Sequence, residues 1–172
     1  MKTALIDASS AILLYKADLF DAVSSAYHLV MAPAVFQEVT VAGRQGAAHF
    51  DEVCRWGQIR IASGPIGPYG EEKLSGMGAG ERETLCMYDK GGVDFVILDD
   101  RKGASYCRSQ TIPYINALLC PKILHWAGMI DGSAYIQALE HLLDQGRYSR
   151  QVVEFEIKCN HQELAFFMPD GV

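Results

Sequence analysis

Hydrophobic positions in this chain fall into short unbroken runs separated by helically spaced stretches. Thr3 to Ile6, the HLVMA of 28–32, the IRIA of 59–62 and the VDFVIL of 93–98 each read as a strand. Runs without polar alternation mark strands covered on both faces. Between them apolar residues recur about every 3.6 positions. A helix follows Ser9 or Ser10 as cap and runs to Lys16. A second, DLFDAVSSA, starts at Asp18, and AVFQEV (34–39) stands behind Pro33, where a first turn tolerates proline. AAHFDEVCRW (47–56) ends at Gly57, and GERETLCMYDK (80–90) ends at Gly91-Gly92. RKGASYCRSQ is helical in part, and TIPY is a short extended piece. INALLCPKILHWAG is helical, and Pro121 must kink or divide it. SAYIQALEHLLDQ (133–145) is amphipathic and ends at Gly146. The tail from Tyr148 is charged and then closes on LAFFMPDGV, with no element assigned.

Residues 63–80 are rich in glycine and carry Pro65 and Pro68, so they read as a long loop. Loops of that length inside compact domains are commonly functional, and this one is expected to be mobile and to gate a substrate.

Strands alternating with helices predict an α/β fold with a parallel sheet. The working crevice of such a sheet lies at the carboxyl ends of its strands. Asp7 closes the first strand there, and Asp99-Asp100 close the fourth. The 172 residues suffice for one sizeable core. Residues 1–130 are expected to form the main domain, with 131–172 a helical extension packed on it. The Leu139, Leu142 and Leu143 stripe reads as core or as an oligomer contact, which leaves a homodimer open. No apolar run approaches the roughly 20 residues of a membrane helix, and MKTALIDASS has no export pattern, so the cytoplasm is the expected location. Five scattered cysteines with no C-x-x-C pair indicate neither a disulfide framework nor a zinc site. The net charge of −6 argues against a basic nucleic-acid face but permits a carboxylate cluster that needs a cation.

Four acids stand at element ends: Asp7, Glu38, Glu81 and Asp100, separated by 31, 43 and 19 residues. Glu38 lies beside Val35 and Val41, and Glu81 shares a face with Leu85 and Tyr88. Glu83 falls about 200° around the helix from Glu81 and cannot face the same cleft. Carboxylates gathered at an apolar boundary repel one another and lose hydration unless a cation neutralises them. Mg²⁺ or Mn²⁺ matches an all-oxygen set and suits phosphodiester hydrolysis, because it activates water and offsets leaving-group charge. Each acid taken singly reads equally as a helix cap or a solvated side chain.

LIDASS, MAPAVFQEV, GMGAGERETL and VILDDRKGA resemble, in order and spacing, the motifs of the PIN-domain family. The likeness is to the branch with D-T-S, P-x-x-V-x-x-E, G-x-G-E and L-D-D-R-x-x-R, and it covers residues 1 to about 130. It implies a three-layer α/β/α fold with a central, mainly parallel sheet. It also implies a Mg²⁺- or Mn²⁺-dependent ribonuclease acting on single-stranded or structured RNA, similar to VapC-type toxins that an antitoxin protein neutralises. By that resemblance Asp7, Glu38, Glu81 and Asp100 form the catalytic set, and Asp7, Glu81, Asp99 and Asp100 hold metal. Ser9 matches the hydroxyl that supports the first Asp. Arg101 and Lys102 meet substrate phosphates or simply begin a solvated helix. Asn116 holds a ligand water or starts a helix.

Ala8 replaces the usual Thr, Gly103-Ala104 stand where an Arg is expected, and PYINALLC replaces G-T-L-G-V-L-L. These departures keep a second reading open, an inactive PIN-like module that binds nucleic acid or protein. A phosphatase or nucleotide-binding protein is a third, weakened because neither a phosphate-binding G-x-x-x-x-G-K-[ST] loop nor a D-x-D nucleophile follows the first strand.

Overall fold

The computed structural model describes residues 1–63, 74, 76–89 and 91–171. The 63–80 loop and its gating role therefore lie largely outside the described residues. The apolar runs become β1 (Thr3–Ile6), β2 (His28–Met31), β3 (Ile59–Ile61) and β4 (Phe95–Ile97), joined by the short β5 (Tyr114–Ile115). All pair in parallel in the order β3-β2-β1-β4-β5. Ala4 stands between Leu29 and Phe95, and Leu5 between Val30 and Val96. These residues are buried, as expected for strands covered on both faces. Helices on both sides complete a three-layer α/β/α fold.

The strand order fixes where a site can form. From β1 the chain lays down β2 and β3 on one flank, then returns to place β4 and β5 on the other. The direction reverses between β1 and β4, so a crevice opens at their carboxyl ends. Three helices border that crevice: α1 (Ala8–Lys16) after β1, α3 (Pro33–Val39) after β2, and α5 (Ala79–Tyr88) before β4. The helix α6 (Arg101–Ser109) follows β4. Between them run α2 (Phe20–Ala26) and α4 (Ala47–Arg55).

Local chemistry corrects several sequence expectations. Asp7, rather than Ser9 or Ser10, caps α1, because its side chain is the one placed to accept the first-turn Ser10 N–H. Asp18 does not cap α2: it adopts φ +55°, and Leu19 holds the cap position without a side-chain bond. Because α3 stops at Val39, Val41 is exposed beyond its end instead of flanking Glu38. Pro121 divides the segment as expected, into a 3-10 turn (Ala117–Leu119) and α7 (Cys120–Trp126), with the proline in the first turn.

Beyond residue 130 lie α8 (Gly132–Gln145), α9 (Arg150–Lys158) and the short α10 (His161–Leu164). Asp131, Ser149 and Asn160 cap them. Within the α8 stripe Leu142 is buried, Leu139 packs against the core, and Leu143 is exposed. A buried ion pair ties α9 to α7. Lys122 Nζ stands 3.3 Å from Glu156 Oε1, also donates to the Glu156 carbonyl, and lies 5.7 Å from the Trp126 ring centre. Tyr135 of α8 donates to the same Glu156 oxygen at 3.1 Å. The chain end is fastened across the sheet: Tyr27 donates to the Phe167 carbonyl at 2.6 Å, and Lys2 bonds Asp170 at 3.0 Å. No disulfide joins the five cysteines, and among the described residues no helix is long and apolar enough to cross a membrane.

Candidate metal centre

Asp7 sits where β1 meets α1. Its own N–H donates to Ile97 O at 3.1 Å, which locks it to the end of β4. Its Oδ1 accepts the Ser10 N–H at 2.7 Å. The residue is 2% exposed, and its Oδ2 is buried with no hydrogen-bond partner. Burial pushes the carboxyl up to about 7, and the charge of Asp99 adds to the shift against the pull of the Ser10 bonds.

Asp99 follows β4 and faces Asp7 through Ser10. The Ser10 hydroxyl donates to Asp99 Oδ2 at 2.6 Å, while the Ser10 N–H serves Asp7. Ala117 N–H is a second donor to Asp99 Oδ2, at 3.1 Å. Asp99 Oδ1 is buried and unpartnered. The residue as a whole is half-buried, yet desolvation of its carboxylate raises its pKa. Ser10, fully buried at the third position of α1, thus couples the two acids. Helix geometry points the third residue back at the cap, so Ser10 and not the exposed Ser9 supplies the hydroxyl to this network.

Asp100 caps α6, accepting Gly103 N–H at 2.6 Å. Asp7, Glu81 and Asp100 line one small cavity together with Thr84, Leu98 and Gly103. A Cβ on Gly103 would lie 3.1 Å from Leu98 and 3.6 Å from the Asp100 carboxylate. Glycine at 103 keeps that approach uncrowded; the second arginine of L-D-D-R-x-x-R falls at position 104, which Ala104 holds.

Close packing of α5 on α3 brings in the remaining acids. A Cβ on Gly80 would meet Val35 Cγ2 at 3.1 Å and Glu38 Oε2 at 3.6 Å, so glycine sets that approach. Glu81 turns back to accept its own helix's Gly78 N–H at 2.8 Å. Glu83 instead accepts Ala34 N–H at 2.7 Å, at the start of α3 and away from the cleft, as its helical angle requires. Glu38 is exposed and paired with Arg44 at 3.0 Å. A groove of about 830 Å³ joins Ser9, Glu38, Glu81, Asp99, Asp100 and Arg101. Lys102 is not brought to that groove: its Nζ reaches the Gly76 carbonyl at 2.7 Å. Asn116 caps the 3-10 turn through its Oδ1 and lines an adjoining groove.

Sequence reasoning missed Tyr148, from the segment joining α8 to α9. Its hydroxyl is buried beside Asp99 without a well-formed hydrogen bond, and burial together with the Asp99 charge raises its pKa. No motif in the tail announces it; the one usable signal is Gly146, where a Cβ would overlap the Tyr148 ring.

Three buried side-chain polar atoms lack a hydrogen-bond partner among the described residues: Asp7 Oδ2, Asp99 Oδ1 and the Tyr148 hydroxyl. All belong to this site. An orphaned buried carboxylate oxygen is costly, and the orphans here are two neighbouring acids with the Tyr148 hydroxyl beside Asp99. The donor set is all oxygen, which fits a hard divalent ion that keeps several waters and takes one or two carboxylates. Among the described residues no three acidic, histidine or cysteine side chains are grouped closely enough to hold a metal ion.

A family model, DUF3368, described as a PIN domain, matches residues 3–160. No curated protein and no solved structure matches the chain. The match takes in both the carboxylate cluster and the segment that carries Tyr148, and the chain belongs to the PIN-domain family, with its nuclease-type fold.

Proposed function

We propose that the protein is a Mg²⁺- or Mn²⁺-dependent endoribonuclease of the cytoplasm. The observation that carries this reading is the pair of orphaned, desolvated oxygens, Asp7 Oδ2 and Asp99 Oδ1, at the crevice between β1 and β4. Asp7 and Asp99 would hold the cation, with Asp100 and Glu81 on the same cleft. The bound ion would supply an activated water and offset charge on the leaving oxygen. The chain's own part is to hold the acids apart and dry. The Ser10 N–H fixes Asp7, the Ser10 hydroxyl and Ala117 N–H fix Asp99, and the Leu98 and Leu85 walls exclude solvent. Cleavage of a fluorophore–quencher RNA in Mn²⁺ tests the proposal. Asp7→Asn should abolish cleavage while the folded spectrum persists; full activity in a purified variant would remove Asp7 from the mechanism. A toxin role predicts growth arrest on expression of the parent, absent for Asp7→Asn and relieved by a neutralising partner protein.

A second reading, an inactive PIN-like binding module, is favoured by the engagement of Glu38 with Arg44 and of Glu81 with Gly78. Mn²⁺ separates the two readings. A metal site raises the melting temperature by mass action, whereas an inert module is indifferent.

A further inference from the structure

A second groove, of about 720 Å³, runs along α6 and shares Asp99 and Asp100 with the first. Three guanidinium groups line it: Arg101 and Arg108 from α6, and Arg147 from the segment between α8 and α9. All three residues are exposed, and none is ion-paired among the described residues. Asp99 and Asp100 also line it, so three arginines against two carboxylates leave the groove slightly positive in a chain of net charge −6. Arg101 and Arg147 also line the first groove, so the basic track reaches the carboxylates. Arg108 is steadied by a 2.7 Å bond to the Tyr114 hydroxyl. Asn116 has its Oδ1 engaged by Leu119 N–H, which leaves its amide hydrogens for another acceptor.

The placement of Arg147 is built in. At Gly146 the chain folds so tightly that a Cβ would overlap the Tyr148 ring and stand 2.8 Å from the Leu142 carbonyl. That fold seats Tyr148 beside Asp99 and leaves its neighbour Arg147 on the wall shared by both grooves.

We propose that this groove binds the sugar–phosphate backbone of the nucleic-acid strand on one side of the acid cluster, with Arg101, Arg108 and Arg147 on its phosphates. The inference rests on the ribonuclease reading and names the path of its substrate. Guanidinium forks match phosphate oxygens. An acidic peptide would suit the same arginines but gains nothing from a track that leads to a cation-holding carboxylate cluster.

The test is steady-state cleavage of a fluorophore–quencher 15-nucleotide RNA in Mn²⁺, from about 50 to 200 mM salt, by the full chain and by an Arg108→Ala/Arg147→Ala variant. The variant should raise KM at least about tenfold with little change in kcat. It should also flatten the dependence of log(kcat/KM) on log salt by about 1.4, two phosphate contacts at about 0.7 each for a single strand. Its Mn²⁺-induced rise in melting temperature should match the parent's, since a collapsed site would lose it. Unchanged KM and salt slope, with the parent active, would overturn this inference and leave the ribonuclease reading standing. A parent that binds Mn²⁺ but cleaves no RNA would remove the ribonuclease reading and this one with it. Poly-glutamate that binds the parent and not the variant, with RNA kinetics unchanged, would give the groove to an acidic peptide instead.

Discussion

Replacing Asp7 by Asn removes a charge that the folded chain holds at a cost. The carboxyl rises from 3.8 to about 7 on folding, through burial first and the Asp99 charge second. A raised acid means that the folded state binds the proton more tightly than the unfolded chain does. Its contribution to stability is therefore fully present below about pH 4 and is lost as the pH climbs through 7. The span from 3.8 to about 7, at about 1.4 kcal/mol per pH unit, amounts to a penalty on the order of 4 kcal/mol at pH 8. Asn escapes that penalty and keeps the cap, because its amide oxygen accepts the Ser10 N–H as the carboxylate does.

Relaxation around the charge reduces the gain, so metal-free Asp7→Asn should be stabilised by about 2 to 4 kcal/mol at pH 8. At about 2 to 4 °C per kcal/mol for a chain of this size, the melting temperature should rise by about 4 to 16 °C. At pH 4.5 the gain should shrink to about 1 kcal/mol or less. Thermal melts followed by circular dichroism in EDTA at both pH values are the assay. Adding Mn²⁺ should reverse the order, stabilising the parent and not the variant. A variant no more stable than the parent at pH 8, or a gain equal at the two pH values, would refute the claim that Asp7 is buried as a destabilising charge. Stability given up at a site is a common cost of function.

The buried pair between α7 and α9 should behave differently. Lys122→Met strands Glu156 without its cation and should cost about 3 to 5 kcal/mol, read as a lower urea midpoint, while adding Glu156→Leu should recover most of it. Gly146→Ala should lower stability by about 1 to 3 kcal/mol through overpacking against Tyr148 and the Leu142 carbonyl. It should also raise the KM for RNA although no charge is lost; an unchanged KM would separate the 146–148 fold from substrate binding. Ser10→Ala should weaken Mn²⁺ binding by calorimetry, since it takes the 2.6 Å donor from Asp99, and affinity equal to the parent's would show that the bridge is dispensable.

Much of the frame was legible because covered parallel strands leave an unmistakable trace. TALI, HLVM and FVI lie inside the apolar runs read as strands, and TALI and FVI give way to aspartates just past the sheet's end. Asp7 and the Asp99-Asp100 pair stand out for the same reason, as carboxylates at the end of an apolar run, but the sequence points to Asp100 for the acid set and the structure gives the orphaned oxygen to Asp99. What the pattern could not show is which polar group each acid meets. Capping by Asp7 moved the supporting hydroxyl from Ser9 to Ser10, a one-residue change that helix geometry decides. The helix α9 went unread because its exposed Phe155 and Ile157 blur the periodicity, and what anchors it is a distant partner, Lys122. Tyr148 was invisible for a like reason: its place beside Asp99 depends on a tight fold at Gly146 and on α8 lying against α1, neither of which has a local signature.

The central claim is that Asp7 and Asp99 form a pocket that a divalent ion completes, and anomalous diffraction from a crystal soaked in Mn²⁺ reads it directly. The account predicts a manganese peak at the Asp7 and Asp99 carboxylates, lost in Asp7→Asn. Density for the ion only elsewhere on the molecule, with both oxygens still bare, would contradict it.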